Sequence, residues 1–383
     1  MRVIESRSEC LRPLWAEVDL SAVAYNLNLV RQMVGPEVQI MAIVKANGYG
    51  HGSVEASKKL LSSGANWLGV ASPEEGIVLR QAGIIAPILV LGAFIPGQEE
   101  MLLKYNLTPT VCHEEAAQVL SQAAQLFARK IALHVKVDTG MGRLGFLPEQ
   151  VVPVLKRIKE YPGVVVQGLF SHLSSADEED RSHTRLQIER FKQLAAKLRE
   201  VHLLPQLLHM ANSAGILKYP EAYFNMVRPG VMLYGMSPLA APLPNRIKLR
   251  PVLTWKATVN SVKRVPANTG VSYGQTYHTK RETTLAVIPV GYADGYSRLL
   301  TDKAEVLLKG WRCPVVGRIC MDQCVIDVGD LPVQIGDEVT IIGRDGNHEI
   351  LAAELAEKMG TINYEITCAI SERVPRIYKG KME

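Results

Sequence analysis

Short apolar runs alternate with amphipathic stretches through the first part of the chain. The runs are QIMAIVK (39–45), NWLGVA (66–71), APILVLG (86–92), LTPTV (107–111), IALHVKV (131–137), VVVQGLFS (164–171), QLLHMA (206–211) and FNMVRP (224–229). Between them, VEASKKLLSSG (54–64) places Ala56, Leu60 and Leu61 on one helical face. PEEGIVLRQAG (73–83) and HEEAAQVLSQAAQ (113–125) read the same way, and TRLQIERFKQLAAKLREV (184–201) carries Leu186, Phe191, Leu194 and Leu198 along a stripe. Eight strand–helix repeats predict an α/β fold of the TIM (β/α)8 barrel type. A doubly wound open sheet is the alternative. It fits less well, because no glycine-rich turn after the first run is followed by an acidic residue ~20 positions on.

After Lys248 the texture changes. WKATVNSVKRV (255–265), TTLAVIPVGY (283–292), AEVLLKG (304–310), CPVVGRICMDQCVIDV (313–328) and DEVTIIG (337–343) are β-branched and alternating, with GYADGY, DVGDLP and GRDGNH as turns. They predict an all-β domain interrupted by one helix at 351–360. The proline-rich stretch SPLAAPLPNRIK (237–248) is the expected boundary, giving a barrel domain over 1–248 and a β domain over 249–383.

Composition narrows the function classes. The 383 residues are 47% hydrophobic and 21% charged, enough apolar mass for two cores. The net charge of +5 is not concentrated in any basic run, which argues against nucleic-acid binding and leaves a small anionic ligand open. The N-terminal residues show no apolar signal core. The best apolar stretch, Ile84 to Phe94, is broken by Pro87 and Gly92. A soluble cytoplasmic protein is therefore expected. The six cysteines are scattered without zinc-ligand spacing, so no metal site is expected.

Barrel enzymes carry their reactive groups at the C-terminal strand ends. There the pattern puts Lys45 at the close of the first barrel strand, Lys136 near the end of the fifth and Arg143 in the loop after it. His172 ends the sixth, Asn212 and Ser213 follow the seventh, and Arg228, Gly230 and Val231 follow the eighth. Lys45 reads either as a lysine snorkelling from a strand end or as an amine whose pKa desolvation lowers for Schiff-base chemistry. The glycine-rich ANGYGHG that follows suits close approach of a ligand. ANSAGI (211–216) and RPGVMLYG (228–235) are each ordinary turns or, taken with an amine on the first strand, a phosphate cradle. That combination fits pyridoxal phosphate, with a sugar phosphate in a Schiff-base aldolase as the competing ligand. Arg143, in KVDTGMGRLG, is a cation for a carboxylate or phenolate, or part of a flexible loop. His172 serves equally as a core or a catalytic histidine.

VKANGYGHG (44–52), HVKVDTGMGRLG (134–145), ANSAG (211–215), MVRPGVMLYG (226–235), VSYG (271–274), GYADGYSR (291–298) and GRICMDQ (317–323) together resemble the alanine racemase family, in order and through both domains. The resemblance implies a barrel plus β-domain homodimer with pyridoxal phosphate on Lys45 and Tyr273 as the second base. Tyr49, Asn212, Ser213, Gly230, Val231 and Tyr364 would hold the cofactor, and Arg228 would donate to its ring nitrogen. His172 would bridge Arg228 and Tyr273. Arg143 and the Met321 amide would take the substrate carboxylate, and Tyr292 would line the substrate channel. Lys136 occupies the position that such enzymes carbamylate. Tyr273 and the Cys320–Asp322 segment would come from the partner subunit. D-alanine for cell-wall peptidoglycan is the implied product. A phenol has an ordinary pKa near ~10, so a neighbouring cation network would have to lower it. A broad-specificity or serine-preferring racemase is the alternative function.

Overall fold

A computed structural model of the chain describes residues 12–240, 243–244 and 247–380. Part of the expected boundary stretch, part of the N-terminal segment and Cys10 lie outside the described residues. By its contacts the chain forms two compact units. Among the described residues, one holds those of 23–48 and 53–249; the other holds those up to Ala22, Tyr49–Gly52 and those from Arg250 on.

The first unit is a closed parallel barrel. After strand β1 (Leu14–Asp19), which belongs to the other unit, the barrel strands are β2 (Gln39–Ile43), β3 (Trp67–Val70), β4 (Ile88–Ala93), β5 (Thr108–Val111), β6 (Ile131–Lys136), β7 (Val164–Phe170), β8 (Leu207–His209) and β9 (Met226–Val227). They follow chain order around the barrel, and β9 closes on β2 through Gln39↔Met226 and Ile40↔Val227. Helices such as Ser53–Ser62, Glu114–Leu126 and Ser182–Glu200 lie between the strands. Strands covered on both faces favour apolar residues, and all four residues of β3 are apolar or glycine and buried; β5 is equally buried but carries two threonines, of which Thr110 donates its hydroxyl to Val90 O at 2.6 Å. Each of the eight apolar runs in the sequence overlaps one of these strands. The helices Glu99–Lys104 and Pro148–Lys159 were not marked by the pattern. In the second of these a proline sits at position 153.

One interior position explains an unusual pair of buried imidazoles. His134 on β6 stands in register with Gly168 on β7 and meets His209 of β8 across that strand. A Cβ on Gly168 would lie 2.5–2.7 Å from the His134 ring, so only glycine leaves room for the pair.

The second unit is a ten-stranded sheet. Its strands after β9 are β10 (Leu253–Thr258), β11 (Ser261–Val265), β12 (Gly270–Val271), β13 (Tyr277–His278), β14 (Thr283–Ile288), β15 (Glu305–Leu308), β16 (Trp311–Val316), β17 (Cys324–Gly329), β18 (Glu338–Asp345), β19 (His348–Ile350) and β20 (Arg376–Lys379). The order is β11-β14-β17-β16-β15-β18-β10-β1-β20, with β19 on β18 and a separate β12–β13 hairpin. Pairing is antiparallel except between β1 and β20. The core holds Trp255 and Tyr296, stacked edge-on at 5.9 Å and fully buried. Two long runs in the sequence each split into two strands. Residues 255–265 divide because β10 pairs with β1 and β18 while β11 pairs with β14. Residues 313–328 divide because the chain leaves the sheet at Gly317, in the left-handed region, and returns at Cys324. The described N-terminal residues, placed by the sequence reading with the barrel, group instead with this sheet, because β1 hydrogen-bonds β10 and β20. Among the described residues no helix is long and apolar enough to cross a membrane.

Candidate active site

The expected site residues fall into two sets, one in each unit. In the barrel unit Lys45 lies two residues beyond β2. The backbone after it does something rare: Ala46, Asn47, Gly48 and Tyr49 all have φ between +52° and +62°, a left-handed helical turn. L-residues resist this conformation by roughly 1–2 kcal/mol each. Specific bonds hold it. Gly48 N–H donates to Val44 O (2.8 Å), and Ser53 N–H donates to Asn47 Oδ1 (2.9 Å). Glu75 takes the N–H groups of Ala46 and Ala71, both at 2.7 Å, and so ties the ends of β2 and β3 together.

Arg228 is the electrostatic centre of the barrel mouth. It is 3% exposed and has no carboxylate partner among the described residues. Nη1 donates to His209 Nδ1 (2.8 Å); Nη2 faces Ser171 O (2.7 Å), Met210 O (3.1 Å) and His172 Nδ1 (3.1 Å). Burial lowers its pKa to about 9, which still leaves a cation at neutral pH. A guanidinium only donates, so the acceptors around it are forced. His209 Nδ1 must be unprotonated, and its proton sits on Nε2, which donates to His134 Nδ1 at 2.9 Å. His134 therefore carries its proton on Nε2, a buried atom with no acceptor among the described residues. Desolvation first, and then the Arg228 charge, push all three imidazoles down: His134 to about 3, His172 and His209 well below the ordinary value. The Phe170 ring stacks on His209, centroids 4.8 Å apart, and lies 5.3 Å from the Arg228 guanidinium. Gln187, buried on the helix Ser182–Glu200, donates to His172 O (3.0 Å) and accepts from Ser174 N–H (3.0 Å), fixing the loop after β7.

Lys136 ends β6, 6% exposed, with its amine nitrogen 4.5 Å from the Phe170 centroid and no hydrogen bond or ion pair within 4 Å among the described residues. Burial, followed by the nearby Arg228 and Arg143 charges, drives its pKa well below the lysine value. Arg143 is exposed and sits on a loop organised by Asp138, whose carboxylate takes the N–H groups of Gly140, Met141, Gly142 and Arg143. Burial raises the Asp138 pKa, but those four donors outweigh it and the carboxyl titrates below its ordinary range.

The loops after β8 and β9 meet at Ser213. Its hydroxyl, 5% exposed with its residue, accepts Gly230 N–H at 2.9 Å. Asn212 caps the helix Ser213–Lys218 by accepting Gly215 N–H (2.9 Å). Val231 begins a short 3-10 turn, where the first N–H groups have no partner inside the turn. These donors suit an anion. Two of the five Arg228 donors, Nε–H and the second Nη1–H, find no acceptor among the described residues and suit a neutral ring nitrogen. The residues present thus fit pyridoxal phosphate.

In the sheet unit Tyr273, Tyr292, Arg298, Ile319 and Cys320 line a cavity of about 400 Å3. Tyr273 is 72% exposed, and Met321 lies beside the cavity lining in sequence. Tyr292 N–H donates to Cys320 O (3.1 Å) and Ala293 N–H to Met321 O (3.0 Å), so the GYADGY and GRICMDQ loops form one surface. A Cβ on Gly291 would fall 2.3 Å from both carbonyl oxygens, which explains the glycine. Asp294, fully buried, caps Gly291 N–H (3.0 Å) and pairs with Arg12, while Arg373 bonds Asp322 at 2.6 Å. Tyr49 and Tyr364 also belong to this unit and meet edge-on, centroids 6.4 Å apart. Among the described residues no cluster of His, Cys, Asp and Glu could hold a metal ion.

The sequence analysis did not single out His134 or His209. The available signal was a polar residue inside each otherwise apolar strand, His134 two positions before Lys136 and so on the same face.

Comparison with known proteins agrees with this geometry. Residues 18–238 match the family model described as alanine racemase, N-terminal domain, and residues 252–378 match that of the C-terminal domain. The chain is 47% identical over 372 residues to the alanine racemase of Halothermothrix orenii, covering 97% of this chain and 98% of the relative. It is equally 47% identical, with the same coverage, to that of Symbiobacterium thermophilum. The solved structure of alanine racemase from Clostridium difficile 630 superposes with a TM-score of 0.92 at 38% identity, covering 97% of both chains. Through both of its domains, this chain belongs to the alanine racemase family.

Proposed function

We propose that the protein interconverts L- and D-alanine with pyridoxal phosphate bound to Lys45, in a homodimer whose sites are completed by the partner's Tyr273. D-alanine for peptidoglycan, made in the cytoplasm, is the use that the resemblance implies. The observation that carries the reading is Arg228, a buried cation ringed by neutral imidazoles and carbonyls with donors to spare. The cofactor, when bound, draws electrons from the substrate Cα and so acidifies its proton. Arg228 sets how strongly. It cannot give up a proton to the ring nitrogen, so that nitrogen stays unprotonated and the electron withdrawal stays moderate. Ser213 Oγ and the Gly230 and Val231 amides, next to the Asn212 cap, hold the phosphate together with Tyr49 and Tyr364. Arg143 and the Met321 amide take the substrate carboxylate. Lys45 Nζ and Tyr273 Oη remove and return the Cα proton on opposite faces, each acting as base in one direction and acid in the other. His172 ties Tyr273 to Arg228.

Lys136 is poised for carbamylation. Its amine is buried beside two arginines, and a neutral amine is the form that adds to carbon dioxide. The carbamate turns this amine into an anion that attracts Arg143.

Purified protein supplied with pyridoxal phosphate is expected to convert either enantiomer of alanine to an equal mixture. Borohydride reduction should leave a pyridoxyl adduct on Lys45. An adduct on another lysine, or serine turned over in preference to alanine, contradicts the assignment. Protein equilibrated with carbon-13 bicarbonate should show one protein-bound carbamate signal that Lys136→Met removes; no signal in the active enzyme rejects the modification.

The shared site is tested by mixing lesions. Lys45→Ala and Tyr273→Phe homodimers should each be nearly inactive. Co-expressed, half the dimers are mixed, and each of these has one site with both lesions and one with neither. About a quarter of the unmutated activity should return. No recovery in mixed dimers confirmed by mass means that Tyr273 serves its own chain.

A further inference from the structure

Arg376, on β20, is 7% exposed and has no carboxylate at ion-pair distance among the described residues. A buried guanidinium without a counter-ion is costly unless its donors are all met. Here they are. Nε donates to Gly50 O (3.0 Å) and Nη2 to Gly50 O (2.9 Å) and Ile370 O (2.6 Å). Nη1 donates to Ser371 O and Val374 O, both at 2.6 Å. Five N–H groups meet four main-chain carbonyls, using the whole planar fork. A lysine, with three donors on one atom, has no such reach.

The four carbonyls are not scattered. Ile370 is the C-cap of the helix Asn363–Ala369, which carries Tyr364, and Ser371 and Val374 continue from it. Carbonyls at a helix end lack partners within the helix, and Arg376 supplies them. Gly50 directly follows Tyr49. The two segments approach so closely that a Cβ on Gly50 would lie 2.0 Å from Thr367 O. Tyr49 itself holds φ +52°, and His51 Nδ1 bonds Tyr49 O at 2.9 Å. One guanidinium therefore joins the backbone beside Tyr49 to the end of the helix that presents Tyr364, and the two phenol rings meet edge-on above this joint at 6.4 Å.

We propose that Arg376 is a positioning residue for the phosphate end of the cofactor, acting by holding Tyr49 and Tyr364 in fixed relation. The proposal rests on the cofactor reading given above and adds a residue that touches neither cofactor nor substrate. Its consequence is selective. Loosening the joint weakens grip on the phosphate and leaves the bond between Lys45 and the aldehyde intact.

The test compares two aldehydes on the full-length protein freed of cofactor. Pyridoxal phosphate and pyridoxal, which lacks the phosphate, are titrated into the unmutated protein and into Arg376→Lys, followed by absorbance of the Lys45-bound form, with the unfolding midpoint measured alongside. Arg376→Lys should weaken pyridoxal phosphate roughly tenfold or more and pyridoxal by less than about twofold. Tyr49→Phe with Tyr364→Phe should give a similar selective loss, and adding Arg376→Lys to that pair should cost little more. If Arg376→Lys does not fold, Arg376→Gln, which keeps two donors, is read in the same way. Equal weakening of both aldehydes, or of neither, overturns the proposal while leaving the cofactor reading standing. Unmutated protein that takes up neither aldehyde overturns both.

Discussion

A guanidinium cannot accept a hydrogen bond, and at the mouth of this barrel one is buried with no carboxylate among the described residues to answer it. Most of what surrounds Arg228 follows from that constraint. Its neighbours must present lone pairs, so two imidazoles turn Nδ1 toward it and two carbonyls complete the set. The imidazoles must also stay neutral, since a second buried charge of the same sign would be repelled strongly in so dry a place. The chain from Arg228 through His209 to His134 then has a single proton arrangement. It ends in one N–H with no acceptor among the described residues, and it fits only because Gly168 has no side chain. A cation fixed in this way presents an unchanging donor to whatever ring nitrogen faces it, which suits an enzyme that must return a proton to its substrate rather than carry the electrons elsewhere.

Main-chain carbonyls do similar work around a second buried arginine. Arg376 gathers four of them and closes off a helix end. Backbone order near the candidate site residues is thus supported by side chains that bond to the main chain. The left-handed turn after Lys45 shows why support is needed. Three of its four residues carry a Cβ, so the turn stores on the order of 3–6 kcal/mol, and it persists because Glu75, Asn47 and the Gly48 N–H each hold a part of it.

Much of this was legible in the sequence, for identifiable reasons. Most of the barrel strands are short, largely apolar runs, so the eight stood out against their amphipathic neighbours, although β5 carries two threonines and β7 is only partly buried over its first four residues. Lys45, Lys136, His172, Ser213 and Arg228 stood out because they interrupt or end those runs at the side where barrels carry chemistry. What escaped depends on pairing over long sequence distances. Leu14–Asp19 carries the alternation of a strand, but nothing local says that it joins β10 and β20 rather than the barrel that follows it. Arg376 looks like any strand arginine until Gly50, far away in the chain, is seen to supply its acceptor. His134 and His209 are each plausible as isolated core histidines, and only their meeting across β7 gives them a role. The loop turning out of the sheet at Gly317 was hidden because Ile319, Cys320 and Met321 continue the apolar pattern between the two strands.

The account rests most heavily on Arg228 as a charged donor that forces its imidazole neighbours into one protonation state. Nitrogen-15 NMR of the histidine rings in the cofactor-loaded enzyme, assigned with His134→Gln and His209→Gln, reads that state directly. At neutral pH both rings should be neutral, each with a proton on Nε2 and none on Nδ1, and lowering the pH to about 5.5 should leave both unchanged, because burial and the Arg228 charge hold both below the ordinary imidazole value of about 6.5. A proton on Nδ1 of His209, or a doubly protonated ring at either position, would contradict it.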